Sequence, residues 1–575
     1  MTAFPLSVSD REGRTIGYVV GGSLQSTLRV RLTVPPQDIQ EGSFVTIRSG
    51  NWQFYGTVVD LKLDATNPRF ADEPSEARLP AGLVDLLHGQ TLYTNLEVLP
   101  KLMAEIGPEP GTPAYEAWVR EHPEGGRIMS VRTVPLHHAT VRLASAGDVA
   151  EIFGEPSERN FVLGYTREQG HPIPIDLEKF VQRSAGIFGA TGTGKSFLTR
   201  MILAGLIHYN QASVLVFDMH NEYGFDDIAS DTRETVIGLR TKFPARVRVV
   251  ALGQNAIIRG RSPDFNLVLG ERDLEPEDIE MLTRELNLKE TTPTTLSALV
   301  QSFGENWFHE FRHMEVGKEI PNEDGKKVPA PDSVAAWANA VGTNVMAAEG
   351  LHNKLRRLFE KPYIVPDPPP GATIQQIIQC LEAGQHVVLS FGTYESDLDY
   401  LLVTNVLTRH IREAWVKKAE TYRAHGREKA PAPRPLVIVL EEAHKLLNRE
   451  LAGQTTFSTI AREMRKYFVT LLVVDQRPSQ IYDEVMSQLG TRISGWLGDE
   501  SDIHAVLSGL ADRDQLRGML AHLQPREEVL VMGWGVPMAI PIRSRRYDAR
   551  FWEDLLGSSN RLPTSLEEAS KKLGF

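Results

Sequence analysis

An α/β fold with a mostly parallel sheet, preceded by a small β-barrel and interrupted by a helical insertion, is what the sequence predicts. Three observations predict it. Short alternating runs broken by Gly, Pro and Asn fill the stretch from Gly13 to about Arg142. From Gly186 the rhythm changes to strand, glycine loop, helix and strand, and between about Glu271 and Lys361 helical signals replace strand signals.

The elements follow in order. Leu28, Val30 and Leu32 alternate with Arg29 and Arg31, which puts the apolar side chains on one face of a strand; Phe44 to Arg48 and Gly56 to Leu63 continue the pattern. This defines a β-barrel over residues 1–145. The first part of the α/β core, 146–270, holds the strand Gly186-Ile187-Phe188, the helical run Phe197 to Tyr209 and the strand Ser213 to Phe217. An insertion over 271–370 reads as helical at Pro276 to Leu286 and Ser333 to Phe359, and ends in the stiff linker Val365 to Gly371. The second part of the core, 371–545, contains Val387 to Phe391, a long helix around Leu398 to Ala419, the polar loop His425 to Pro435, and the strands Leu436 to Leu440 and Val469 to Val474. Residues 546–575 form a tail. The chain has no internal repeat.

A length of 575 residues exceeds what one core organises, and 41% hydrophobic residues suffice to fill at least two. The longest apolar runs are strand-length, far short of the roughly 20 residues a membrane span needs. Met1 to Asp10 lacks a basic-then-apolar leader, and the single cysteine, Cys380, sits beside Ile377 and Leu381 as ordinary core. A cytoplasmic protein without a membrane partner is expected. The net charge of -12 argues against a surface that binds nucleic acid indiscriminately, although a ring threading DNA needs only a few cations per subunit along its bore.

The chemistry concentrates in four places. Gly189-Ala190-Thr191-Gly192-Thr193-Gly194-Lys195-Ser196 fits G-x-x-x-x-G-K-[ST] between a strand and a helix, with Phe197 following. The glycines let backbone N–H groups turn inward around phosphates, Lys195 reaches the β and γ oxygens, and Ser196 is placed to hold Mg²⁺. A RecA-like P-loop core for ATP is therefore expected. Such a core needs one carboxylate for the metal's water shell and another to polarise the attacking water. Glu441 and Glu442, at the end of the strand Leu436 to Leu440, supply them in that order. Arg462 and Arg465 lie three apart on a helix and share a face, which is either an arginine finger directed at a neighbouring subunit's γ-phosphate or a solvated basic face. Gln476, ending the strand Val469 to Val474, is either a γ-phosphate sensor or a turn former. Asp218, His220 and Glu222 follow the strand after the glycine loop, beside the nucleotide or the DNA path.

Taken in order, GATGTGKS, DMHNEYG, VLEEAHKLL, AREMRKY and DQRPSQI resemble the HerA branch of the HerA/FtsK motor superfamily. The likeness spans Gly186 to about Arg546, with a HAS-barrel-like domain before it and a C-terminal brace after. It implies a homohexameric ring that hydrolyses ATP between subunits and pumps double-stranded DNA. Lys195 would be the loop lysine, Glu442 the catalytic glutamate, and Arg462 or Arg465 the finger. It also implies a partner nuclease or effector, NurA-like in DNA-end resection or sirtuin-like in antiphage defence. Two other classes stay open: a P-loop motor that moves protein, and a ring scaffold that organises an effector.

Three further signals are weaker. His309-Glu310-Phe311-Arg312-His313 matches the H-E-x-x-H zinc helix, but Trp307, Phe308 and Phe311 read as core and no third ligand follows. His137-His138 reads as a strand-end pair. Arg240, Lys242, Arg246, Arg248, Arg259 and Arg261 form a basic stretch that either faces a DNA bore or is a solvated surface.

Overall fold

The computed structural model describes residues 13–66, 92–108, 111–123, 125–228, 233–323, 326–425, 431–451, 456–510 and 513–557. The leader reading at Met1 to Asp10, part of the polar loop after His425 and the tail beyond residue 557 lie outside them. The chain divides into two compact units. One comprises the chain up to Phe180, Phe188–Met201 and the chain from Gly490; the other comprises Val181–Ile187 and Ile202–Leu489.

In the first unit, seven strands form the barrel: β1 (Thr15–Gly22), β2 (Leu28–Leu32), β3 (Phe44–Ser49), β4 (Trp52–Ala65), β5 (Leu92–Glu105), β6 (Met129–Ser130) and β7 (Thr140–Leu143). Their order is β2-β1-β7-β3-β4-β5-β6, and pairing of β2 with β5 closes six of them into a ring. The alternation seen in the sequence is the reason: Leu28, Val30 and Leu32 turn inward with Ile16, Val45, Ile47, Phe54, Val58, Leu96, Val98 and Val141, while Arg29 faces solvent. The long β4–β5 hairpin shifts register at Tyr55/Gly56 and Val58/Asp60. A side chain at Gly56 would come within 2.5 Å of the Leu99 carbonyl, so the first shift requires glycine. The following helix, Ala146–Phe153, is fastened by a capping box between Ser145 and Asp148, and Asp148 also accepts from Gln53 of β4 at 2.8 Å. The same unit holds five antiparallel strands in the order Thr491–Ser494, Glu528–Gly533, Ile540–Ser544, Asn160–Tyr165, Pro172–Asp176.

The second unit is built on parallel strands in the order Phe265–Leu267, Val247–Leu252, His386–Ser390, Ser213–Asp218, Leu436–Glu441, Val469–Asp475, with Ala185–Phe188 next to the last. Ser213–Asp218, Leu436–Glu441 and Val469–Asp475 are buried along their whole length, which is why they read as continuous apolar runs rather than alternating ones. Their crossovers include the 29-residue helix Asp397–His425.

The insertion leaves and rejoins the unit through a two-residue parallel pairing, Leu269 with Ile364 and Gly270 with Val365. Between these lie helices and, where no strand was expected, a small hairpin that pairs Glu319–Pro321 with Lys327–Pro329. Short, proline-containing segments of this kind carry too little alternation to register as strands. Asp278, fully buried, anchors the insertion to the long helix by accepting from Asn405 at 2.8 Å and Arg409 at 2.7 Å.

A buried ion pair within the antiparallel strands also reaches the barrel, through the Glu41 carbonyl. Arg167 donates to Glu528 at 2.8 Å and to the carbonyl of Glu41 at 2.5 Å, and both charged side chains are only 7% exposed. Removing one partner leaves the other charge buried and uncompensated. Arg167→Leu should therefore cost about 3–5 kcal/mol of stability. Arg14→Leu, which breaks the exposed pair with Asp38, should stay within about 1 kcal/mol. Denaturant melts of the two variants check the contrast.

Candidate active site

The phosphate-type loop belongs to the first unit. The strand Ala185–Phe188 is wholly buried and delivers the chain into Gly189, after which the helix Lys195–His208 begins. Gly189, Gly192 and Gly194 have φ of 154°, 78° and 90°, a region that side chains disfavour, so these three positions need glycine. Ala190 N donates to the Trp496 carbonyl at 3.0 Å, Thr193 Oγ1 donates back to the Ala190 carbonyl at 2.8 Å, and Gly495 N donates to the Phe188 carbonyl at 2.9 Å. The loop is thereby held open at an exposed tip of Thr191 and Gly192. Lys195 Nζ donates to the carbonyls of Gly189 at 2.7 Å and Ala190 at 3.1 Å, folding over the loop from the helix start, next to half-buried Ser196.

The carboxylates belong to the second unit. Glu441 ends its strand inside the protein. Its Oε1 accepts from Tyr223 at 2.7 Å, its carbonyl accepts from Tyr400 at 2.7 Å, and its Oε2 is buried with no hydrogen-bond partner. Burial first, then the charges of Asp218, Glu222 and Glu442, push its carboxyl well above the ordinary range. Glu442 adopts φ of 46°, a left-handed conformation rare outside glycine, asparagine and aspartate. This turn takes the second carboxylate out of the strand to a site where its side chain is 21% exposed. Gln476 Nε2 faces it at 3.3 and 3.4 Å from the two oxygens. An orphaned buried oxygen within a surplus of negative charge is the donor chemistry a divalent cation satisfies, so the Glu441 environment fits Mg²⁺.

The other expected residues separate by environment. Asp218 is 1% exposed and accepts from the backbone N–H groups of Glu222 at 2.7 Å and Tyr223 at 2.9 Å, so it shapes the DMHNEYG turn. Glu222 is half-buried and acts on Glu441 through its charge, while His220 is exposed. Arg462 lies on the helix Thr456–Glu463 and pairs with Glu484 at 3.2 Å. Arg465 does not share that helix. The α-helix stops at Glu463, a 3-10 turn Met464–Tyr467 follows, and Phe468 at φ 66° ends it so that the next strand starts at Val469. The two arginines are therefore on different elements, both exposed. Phe197 is exposed in the first helical turn.

The basic stretch is folded against acids. Arg240 and Arg248 pair with Asp264, Arg259 with Asp227 and Arg261 with Asp226, while Arg246 donates to the carbonyls of Ile207 and His208. The H-E-x-x-H helix, Trp307–His313, buries Trp307, Phe308 and Phe311, and His309 and Arg312 both bind the buried Glu271 at 2.6 and 2.5 Å. Among the described residues the metal-capable group lies elsewhere, at Glu442, His444 and Asp475.

That group contains what the sequence reading missed. Leu436–Glu441 and Val469–Asp475 run parallel with Glu441 opposite Val474, so the next residues along, Glu442 and Asp475, come side by side. His444 donates its backbone N–H to Asp475 at 2.7 Å and brings Nδ1 to 3.0 Å from the same carboxylate and 3.6 Å from Glu442. The signal was present in EEAH and in the aspartate preceding Gln476, but only the strand register joins them. Arg526 was also missed: its Nε donates to the Gly192 carbonyl at 2.9 Å, from a backbone at φ 70°, and its sequence context has no motif.

The hydrogen bond to Asp475, aided by the charges of Asp475 and Glu442, holds His444 above its ordinary value of 6.5 against the opposing effect of burial. The protonated form is therefore favoured by folding. Its stabilisation is complete below the unfolded value and disappears as pH rises through the higher folded one. The melting-temperature advantage of the parent over His444→Gln should shrink as pH rises above about 6.5 and through the higher folded value, where the histidine loses its charge.

Comparison with known proteins follows the same outline. Residues 161–411 match the family described as "Helicase HerA, central domain". The chain is 23% identical over 529 residues to the DNA double-strand break repair helicase HerA of Saccharolobus solfataricus, covering 90% of this chain and 89% of that protein. It is 23% identical over 571 residues to the protein of the same name from Sulfurisphaera tokodaii, covering 97% of each. Among solved structures it is similar to VirB4 of Thermoanaerobacter pseudethanolicus, at 16% identity and a TM-score of 0.42 over 68% of this chain and 98% of that one. A glycine loop with its lysine, two strand-end glutamates and a likeness that runs the length of the archaeal proteins lead to one assignment: the chain is an ATP-dependent enzyme similar over most of its length to the archaeal HerA helicases.

Proposed function

We propose that the protein is a RecA-like motor that assembles as a homohexamer, hydrolyses ATP with Mg²⁺ and moves along double-stranded DNA in the cytoplasm. The observation that carries this reading is the full-length likeness to the archaeal double-strand break repair helicases, about nine-tenths or more of each chain in the two cited. In it, Gly189 to Ser196 cradle the phosphates, with Lys195 neutralising the β and γ oxygens. Glu442 accepts the proton of the attacking water, and its exposure at the rim supports that role over the buried Glu441. Glu441 and Ser196 would hold Mg²⁺, which would supply charge neutralisation on the transferred phosphoryl group. Gln476, against Glu442, orients the water. DNA-end processing or defence against phage then calls for a separate nuclease or effector docked on the ring.

The test is ATP turnover with and without double-stranded DNA. Stimulation by DNA supports the reading; turnover indifferent to DNA would favour a protein-moving motor or a scaffold. Glu442→Gln should retain ATP binding and lose about 10²- to 10⁴-fold in turnover, the range for removal of a general base. Lys195→Ala should lose both binding and turnover. Normal turnover by either variant would remove its assignment.

Arg465 is the stronger of the two finger candidates, since Arg462 already has Glu484 as a partner. A finger acts on a neighbour's nucleotide, so mixing Arg465→Ala subunits with Lys195→Ala subunits should restore hydrolysis that each lacks alone. The loss to be rescued is about 10³-fold or more. Rescue by Arg462→Ala mixtures instead would move the role to Arg462, and no rescue by either would exclude sites shared between subunits.

A further inference from the structure

We propose that Phe197 and Tyr547 form the seat for the base of the bound nucleotide, an inference that rests on the nucleotide reading of the glycine loop. The loop and helix start account for the phosphates. The first helical amides have no intrahelical acceptor, and the series of donors closes at Leu198, whose N–H is already given to the Gly194 carbonyl at 3.0 Å. Phe197 is thus the last residue of the cradle and is 37% exposed, while Leu198, Met201 and Ile202 of the same helix are core.

One exposed ring is common on a protein surface. This one is part of a built step. The Tyr547 ring lies 6.2 Å from it, centre to centre, at 36° between planes. The guanidinium of Arg200, itself 4% exposed, lies 5.5 Å from the Phe197 ring and 5.9 Å from the Tyr547 ring. Tyr547 is in turn set by Phe551 at 5.6 Å and Trp552 at 5.4 Å, both almost fully buried. A half-buried aromatic step, fixed from behind and adjoining an anion cradle, is complementary to a ligand with a charged tail and a flat apolar head. A nucleoside triphosphate has that form. Stacking uses the π-face that every base carries, so the seat ranks bases by ring area, purines above pyrimidines.

The experiment compares ATP with inorganic tripolyphosphate, which has the tail and lacks the head, by calorimetry on the full chain with Mg²⁺. Tyr547→Ala and Phe197→Ala should each weaken ATP by roughly 5- to 100-fold, the range for loss of one stacked base, and leave tripolyphosphate unchanged. Tyr547→Phe should keep parental ATP affinity, and the parent should bind ATP more tightly than UTP. If Tyr547→Ala disturbs the helix that carries Phe551 and Trp552, Phe197→Ala decides alone. Equal losses for ATP and tripolyphosphate, or no loss for either, would overturn the seat while leaving the phosphate assignment intact. A parent that bound neither compound would overturn the nucleotide reading and the seat with it.

Discussion

A carboxylate buried among carboxylates is the constraint that organises the second unit. Burial of Leu436–Glu441 on both faces takes Glu441 out of water, and Asp218, Glu222 and Glu442 oppose its ionisation. An uncompensated buried charge costs several kcal/mol, so the site takes up either a proton or a cation. The surrounding side chains are arranged to maintain this condition. Tyr223 and Tyr400 donate to the side chain and the carbonyl of Glu441, and the Tyr223 backbone is itself held by Asp218.

Backbone strain then gives two adjacent, identical side chains different environments. In a continuing strand Glu442 would simply point to the opposite face from Glu441. The left-handed turn at Glu442 instead directs its carboxylate to the rim, beside Gln476, His444 and Asp475. Carboxylates take different roles when their surroundings separate their proton affinities. The strain is stabilised on the far side by the His444–Asp475 contacts, which fasten the residues directly after the turn to the neighbouring strand.

The same physics holds the outlying parts. Asp278 joins the insertion to the long helix through Arg409 and Asn405, and Arg167, paired with Glu528, joins the antiparallel strands to the barrel through the Glu41 carbonyl. Both joints bury charge with an excellent partner. Such joints add little net stability over an apolar contact but resist slippage, because any other register strands an ion. The basic stretch illustrates the converse. Four of its arginines are held by Asp226, Asp227 and Asp264, which the same turns bring to the surface, and Arg246 is held by backbone carbonyls.

Local pattern and short motifs were legible in the sequence because their causes are local. Alternation marked the barrel strands, unbroken apolar runs marked the doubly covered parallel strands, and the glycines at 189, 192 and 194 marked a loop whose φ angles require them. Lys195, Ser196, Glu441 and Glu442 stand at the ends of those elements, where the local pattern puts them. Tertiary structure alone decided which residues meet. Parallel register brought Asp475 to His444 and Glu442, chain crossing brought Arg526 to Gly192 and Tyr547 to Phe197, and the end of a helix at Glu463 separated Arg462 from Arg465. Spacing along the chain reports neighbours within one element; contacts between residues hundreds of positions apart depend on how strands order and pair, which no short window of sequence contains.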